Sequence, residues 1–184
     1  FNPNVDSAGT YTYTTSPGGT CDDDSAIVIV TIETPPNAGN NSTVNLCSLD
    51  NTIDLFNNLG GTPDVGGTWS PALASGTGVF DPNIDPEGTY TYTLTSAVCG
   101  DVSASVTVTV NDANNAGSNG VAELCENDPP IDLFNSLNDT PDTEGTWSPA
   151  LASGTGVFDP SIDSAGTYTY TVSNSTSLCP DDSA

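Results

Sequence analysis

The chain has 184 residues, with 24 Asp and Glu, no Lys, Arg or His, and a formal charge of −24. That charge excludes nucleic acid and anionic membrane as electrostatic partners, because binding phosphate needs cations on the protein. It also leaves no His or Lys to act as a base, and no apolar run is long enough to span a membrane.

The chain opens on Phe1-Asn-Pro-Asn-Val-Asp6, and Tyr11-Thr-Tyr13 and Ile27-Val-Ile-Val-Thr-Ile32 then read as strands. Asn37-Ala-Gly-Asn-Asn-Ser42 reads as a polar linker. Thr43-Val-Asn-Leu-Cys47 alternates as a first strand, and Ser48-Leu-Asp-Asn-Thr52 is a turn. In Ile53-Asp-Leu-Phe-Asn-Asn-Leu59 the apolar residues fit either a strand entering a bend or one helical turn. Residues 60–67 are loop chemistry, with Gly for positive φ and Pro and Asp for tight turns. Thr68-Trp69-Ser70 begins a further strand, an irregular crossing follows Pro71, and Val79-Phe80 returns to the core.

The clearest pieces come last. Thr89-Tyr-Thr-Tyr-Thr-Leu94 and Ser105-Val-Thr-Val-Thr-Val110 alternate strictly. A period of two sends one set of side chains inward and the other to water, so Tyr, Val and Leu take the core and Thr coats the outside. Thr is β-branched, so the exposed face favours strand as well.

This pattern repeats. Residues 67–82, Gly-Thr-Trp-Ser-Pro-Ala-Leu-Ala-Ser-Gly-Thr-Gly-Val-Phe-Asp-Pro, recur letter for letter from Gly145, an offset of 78 residues. That period is a whole small domain and is too long for a solenoid repeat. The expected organisation is the C-terminal part of one unit in residues 1–36, a complete unit in 37–112, and a unit lacking its last strand in 113–184. The chain then reads as a window on a longer repetitive polypeptide.

Cys21 and Cys99, and Cys47 and Cys125, keep the same beat of 78, and Cys179 lies 80 beyond Cys99. Two cysteines per unit without a Cys-x-x-Cys pair predict one disulfide per domain and an oxidising, extracellular setting. Asp6, Asp85 and Asp163 each precede a Tyr (Tyr11, Tyr90 and Tyr168) in an Asp-x-x-Gly-x-Tyr pattern. That is the pattern of a tyrosine corner in a Greek-key sandwich. Trp69 and Trp147 supply one large core anchor per unit. The fold class expected is all-β, as tandem immunoglobulin-like Greek-key sandwiches.

Several stretches carry a resemblance: Val-Asn-Leu-Cys47, Ala-Glu-Leu-Cys125, Asp-Leu-Phe-Asn, Gly-Thr-Trp-Ser-Pro-Ala-Leu and Gly-Thr-Tyr-Thr-Tyr-Thr. With a Cys ahead of the Val-Thr-Val-Thr-Val strand, the chain resembles the immunoglobulin-like modules of secreted and surface-attached Bacteroidota proteins, gliding-motility adhesins among them. The resemblance implies export, a cell-surface location and a spacer role. It also favours pairing Cys47 with Cys99 and Cys125 with Cys179, leaving Cys21 to a cysteine upstream. A first strand crossing the full sandwich would set Cys47 at the end opposite Cys99, beyond the roughly 7 Å that bridged Cα atoms allow. The alternative, Cys21–Cys47 and Cys99–Cys125, staples neighbouring domains across each linker.

Asp-Ser-Ala occurs four times, at Ser7, Ser25, Ser164 and Ser183. It resembles the O-glycosylation acceptor of exported Bacteroidota proteins, so covalent glycans are expected there. Asn40, Asn41, Asn138 and Asn174 begin N-x-Ser/Thr sequons, which an Asn-, Ser- and Thr-rich chain also makes by chance. Asp22, Asp23, Asp24, Asp112, Asp181 and Asp182 offer oxygen ligands for Ca2+ near domain junctions, without the spacing of a defined loop. No cofactor is expected otherwise, and no catalytic constellation is present, so no enzymatic activity is expected. The reading that follows is a structural segment of an extracellular fibril or adhesin stalk, whose partners are neighbouring repeats and other copies of the fibril. The alternative is an adhesin module for carbohydrate or Ca2+-bridged surfaces, where repetition supplies avidity.

Overall fold

The computed structural model describes all residues except Pro17, Cys21, Thr77, Thr155 and 174–177. Among the described residues the regular structure is β-strand with two single turns of 3-10 helix, and there is no α-helix. β1 (Gly9–Thr15) and β2 (Asp24–Val30) form an antiparallel hairpin with Tyr11 opposite Val28.

Residues 37–112 hold β3 (Ser42–Cys47), β4 (Ile53–Asp54), β5 (Thr68–Ser70), β6 (Val79–Phe80), β7 (Gly88–Leu94) and β8 (Val102–Asn111). They make a four-stranded sheet in the order β3-β8-β7-β5 and a two-stranded sheet of β4 and β6. Alternation fixes what faces inward: Tyr90, Tyr92 and Leu94 of β7 and Ala104, Val106 and Val108 of β8 are buried. They form one cluster with Leu46, Leu55, Leu59, Leu73 and Phe80. On the outer face the Thr89 and Thr107 hydroxyls meet at 3.0 Å. The ambiguous stretch after Thr52 turns out to be both things in succession, two residues of strand and then a 3-10 turn over Phe56–Asn58, started by Asp54 accepting from the Phe56 amide at 2.9 Å.

β3 runs parallel to β8, placing Cys47 opposite Asn111 at the end of that strand. This register decides the cysteine chemistry. Cys99 precedes the start of β8, so Cys47 and Cys99 sit at opposite ends of a strand about 30 Å long.

Residues 113–184 repeat the plan with β9 (Ile131–Asp132), β10 (Thr146–Ser148), β11 (Val157–Phe158), β12 (Thr169–Val172) and β13 (Asp182–Ser183). Here the sheets are β10-β12-β13 and β9-β11. Residues 120–125, the counterparts of β3, form no strand. Among the described residues β3 of 37–112 pairs with β8 alone, and in 113–184 the two-residue β13 stands in the place of β8. A strand without a ladder partner leaves its amides and carbonyls unpaired, so none forms. A groove of about 910 Å³ lies there, lined by Val121, Leu124, Leu133, Trp147, Phe158 and Tyr168 among others.

Trp69 and Trp147 are not the centre of the core. Both are half-buried, Trp69 tilted against Tyr92 at 5.2 Å between rings, while Tyr90, Phe80 and Leu55 are the large side chains fully enclosed. A Cβ on Gly78 would lie 3.1 Å from the Trp69 indole nitrogen, which is why the irregular crossing passes under the ring with glycine.

Candidate functional site, the joint between successive units

The most heavily built feature outside the core is the junction of 37–112 with 113–184. It begins with the two stretches that read as linkers. Asn37 accepts at its carbonyl from the Asp64 amide at 2.7 Å, and its own amide donates to Asp64 Oδ2 at 2.8 Å. Its side chain donates to the Thr62 carbonyl and accepts from the Gly39 amide. Asn115 repeats all four contacts with Asp142, Thr140 and Gly117. Ala38 and Ala116 are buried, and Gly39 and Gly117 turn with positive φ where a Cβ would strike the Gly60 and Asn138 carbonyls. Asn-Ala-Gly is thus the first fixed piece of each unit. Only residues 112–114 lie between Asn111 of β8 and Asn115.

Two of those three, Ala113 and Asn114, are themselves tied down. The Ser48 amide donates to the Asn111 carbonyl at 2.9 Å, and the Ala113 amide donates to the Ser48 hydroxyl at 3.0 Å. Asn111 reaches the Leu46 carbonyl, and Asn114 reaches the Pro180 carbonyl at 2.8 Å. Asp182 accepts from the Ala116 amide at 2.8 Å.

A disulfide closes the joint: Cys47 bonds Cys179, with Cα atoms 5.0 Å apart. This corrects both expected pairings. Cys47 does not bond Cys99, because the parallel register holds them at opposite ends of β8, and Cys125 does not bond Cys179. Cys99 and Cys125 are exposed and unbonded, so the Cys99–Cys125 staple is absent too. The bridge joins two units, so no disulfide lies within a unit among the described residues. Cys21, with its expected upstream partner, lies outside the described residues.

The corner tyrosines all return their hydroxyls to a carbonyl four residues back. Tyr11 donates to Ser7 at 2.7 Å, Tyr90 to Pro86 at 2.6 Å and Tyr168 to Ser164 at 2.7 Å. Burial, and then the nearby Asp85 charge, hold the Tyr90 hydroxyl above its ordinary value.

The sequence reading missed what the corner carboxylate does. Asp85 is buried and accepts from the Ala74 amide at 2.5 Å, the Ser75 amide and hydroxyl, and the Asp81 amide at 2.9 Å. Asp163 repeats the set with Ala152, Ser153 and Asp159. Burial alone would push the Asp85 carboxyl up, but the hydrogen bonds from Asp81, Ser75 and Ala74 outweigh it and leave it below the ordinary aspartate value. The signal in the sequence was the identical Ala-Ser-Gly run ahead of each corner.

Among the remaining candidates, Ser7, Ser25, Ser164 and Ser183 are exposed, Ser25 and Ser183 within strands rather than loops. The Asn41 side chain accepts from the Ser105 amide, and the Asn138 amide nitrogen, where a glycan would attach, donates to the Asn119 carbonyl at 2.6 Å. Asn174 lies outside the described residues. Asp22, Asp23 and Asp24 lie before and at the start of β2, and Asp112, Asp181 and Asp182 at the joint. Among the described residues no three His, Cys, Asp or Glu side chains form a group that would hold a metal ion. No helix among the described residues is long and apolar enough to cross a membrane.

Compared with protein-family models, with curated proteins and with solved structures, the chain matches none.

Proposed function

We propose that this chain is a structural repeat segment of an extracellular fibril or adhesin stalk, built from tandem immunoglobulin-like units. The strand order β5-β7-β8, faced by β4 and β6 and carrying a tyrosine corner at the start of β7, supports the immunoglobulin-like assignment. The joint carries the functional reading: one disulfide joins consecutive units, and the short connection between them is pinned at Ala113 to Ser48 on one side and at Asn114 to Pro180 on the other. A connection of that kind resists bending, as a spacer must and an independent binding module need not. The exposed Asp-Ser-Ala serines are acceptors of a glycan coat on the same surface, and the molecule performs no catalysis.

Small-angle scattering on the 184-residue chain, before and after reduction, tests this. The expected result is an extended particle with a narrow distribution of lengths that broadens and shortens on reduction. An equally broad distribution in both states would refute a stiff joint. Intact mass of the natural material, before and after chemical deglycosylation, tests the serines separately.

A further inference from the structure

The Cys47–Cys179 pair defines a rule that Cys99 and Cys125, unbonded, also fit. Cys47 ends the first strand of its unit, and Cys179 lies in the loop before the last strand of the next. Cys125 is the repeat counterpart of Cys47, and Cys99 that of Cys179. Their surroundings match as well as their positions. The Cys47 amide donates to Asp50 Oδ2 at 2.8 Å, and the Cys125 amide donates to Asp128 Oδ2 at 2.7 Å. Cys179 Sγ lies 3.3 Å from the Asn111 carbonyl, where the preceding unit's last strand ends. Cys99 Sγ lies 3.7 Å from the carbonyl of Glu33, the counterpart of Asn111 one repeat earlier. Cys99 therefore sits at a joint in which the first-strand thiol is the missing part. Cys125 presents an exposed first-strand thiol with no loop thiol over it among the described residues.

We infer that Cys99 and Cys125 are the open halves of a disulfide ladder in which each first-strand cysteine bonds the loop cysteine of the following unit. The partner of Cys125 is the loop thiol of another repeat, and in a solution of this 184-residue chain alone a second copy supplies it. Coupling is heterologous, head to tail, and a contact of that kind grows filaments rather than closed dimers. The chemistry is thiol–disulfide exchange with a low-molecular-weight disulfide such as oxidised glutathione. One protein thiolate attacks it and releases one glutathione thiol. The second protein thiolate then displaces the other glutathione, so two protein thiols lose two electrons and two protons and one glutathione disulfide becomes two thiols. The rule concerns the joint itself and holds whether or not the array serves as a stalk.

The test uses the 184-residue chain in a glutathione redox buffer at rising protein concentration. Alkylation, cleavage at acidic residues without reduction, and mass spectrometry then identify the linked peptides. The rule predicts Cys125 joined to Cys99 or Cys21 of a second copy, and a ladder of two, three and more chains on a non-reducing gel. C125S collapses that ladder to single chains while Cys47–Cys179 stays intact, which shows that the variant is folded. Three results would each overturn the rule: Cys125 joined to Cys125 or Cys47 of another copy, a ladder that survives in C125S, or no linked copies at any concentration.

Discussion

Residues 37–112 and 113–184 share much of their sequence and differ in closure. In the first, β8 lies between β3 and β7, and Tyr90, Val106 and Val108 are 1% exposed or less. In the second, among the described residues, the two-residue β13 stands in the place of β8. Tyr168 is half-buried, and the apolar residues fall into two clusters instead of one. The hairpin β1–β2 shows the converse, with Val28, the counterpart of Val106, 63% exposed. An alternating strand is therefore only a potential core face. One central strand converts the potential into a core, because it pairs on both edges and covers both neighbours.

The largest effect should come from supplying that strand. Appending the sequence of residues 105–111 after Ala184 adds three valines in register, two of them counterparts of the buried Val106 and Val108, and each buried valine contributes about 1.5–3 kcal/mol. We expect the C-terminal unit to gain about 3–6 kcal/mol in urea unfolding followed by Trp147 fluorescence. No gain would break the comparison.

The corner carboxylates sharpen it next. Asp85→Ala leaves the amides of Ala74, Ser75 and Asp81 without their acceptor and should cost about 2–4 kcal/mol. Asp6→Ala, at the exposed counterpart, should change stability by less than about 0.5 kcal/mol. Because the folded-state value of Asp85 is lowered, its contribution is complete above the ordinary aspartate value of 3.8 and is lost as pH falls through the lower folded value. A pH series on the wild type against Asp85→Asn should show a smaller loss in the variant, where Asp163 with its own lowered value still titrates.

Smaller effects follow the same contrast. Val106→Ala removes fully enclosed methyl groups and should cost about 2 kcal/mol, while Val28→Ala should stay within about 0.5 kcal/mol. Tyr90→Phe loses one hydrogen bond at a buried corner, about 1 kcal/mol in thermal unfolding, and Tyr11→Phe, half exposed, should lose less.

The strand faces and the tyrosine corners were legible because each rests on neighbours a few residues apart. β7 and β8 announce themselves by alternation, and Asp85 to Tyr90 spans one turn. The disulfide was not legible, since Cys47 meets Cys179 only through the parallel register of β3 on β8 and the placement of the next unit, neither of which leaves a local mark. Asn-Ala-Gly read as a linker because its composition is polar and small. The buried Ala38 and the carbonyl contact at Gly39 are set by Gly60, about twenty residues away. The repetition of that tripeptide in both units was the one available hint.

The most direct measurement is the cystine map of the freshly purified chain, taken without reduction and before any added oxidant. The inter-unit joint predicts one linked peptide pair, Cys47 with Cys179, and alkylated Cys99 and Cys125. Cys47 found with Cys99, and Cys125 with Cys179, would close each unit on itself and contradict the joint.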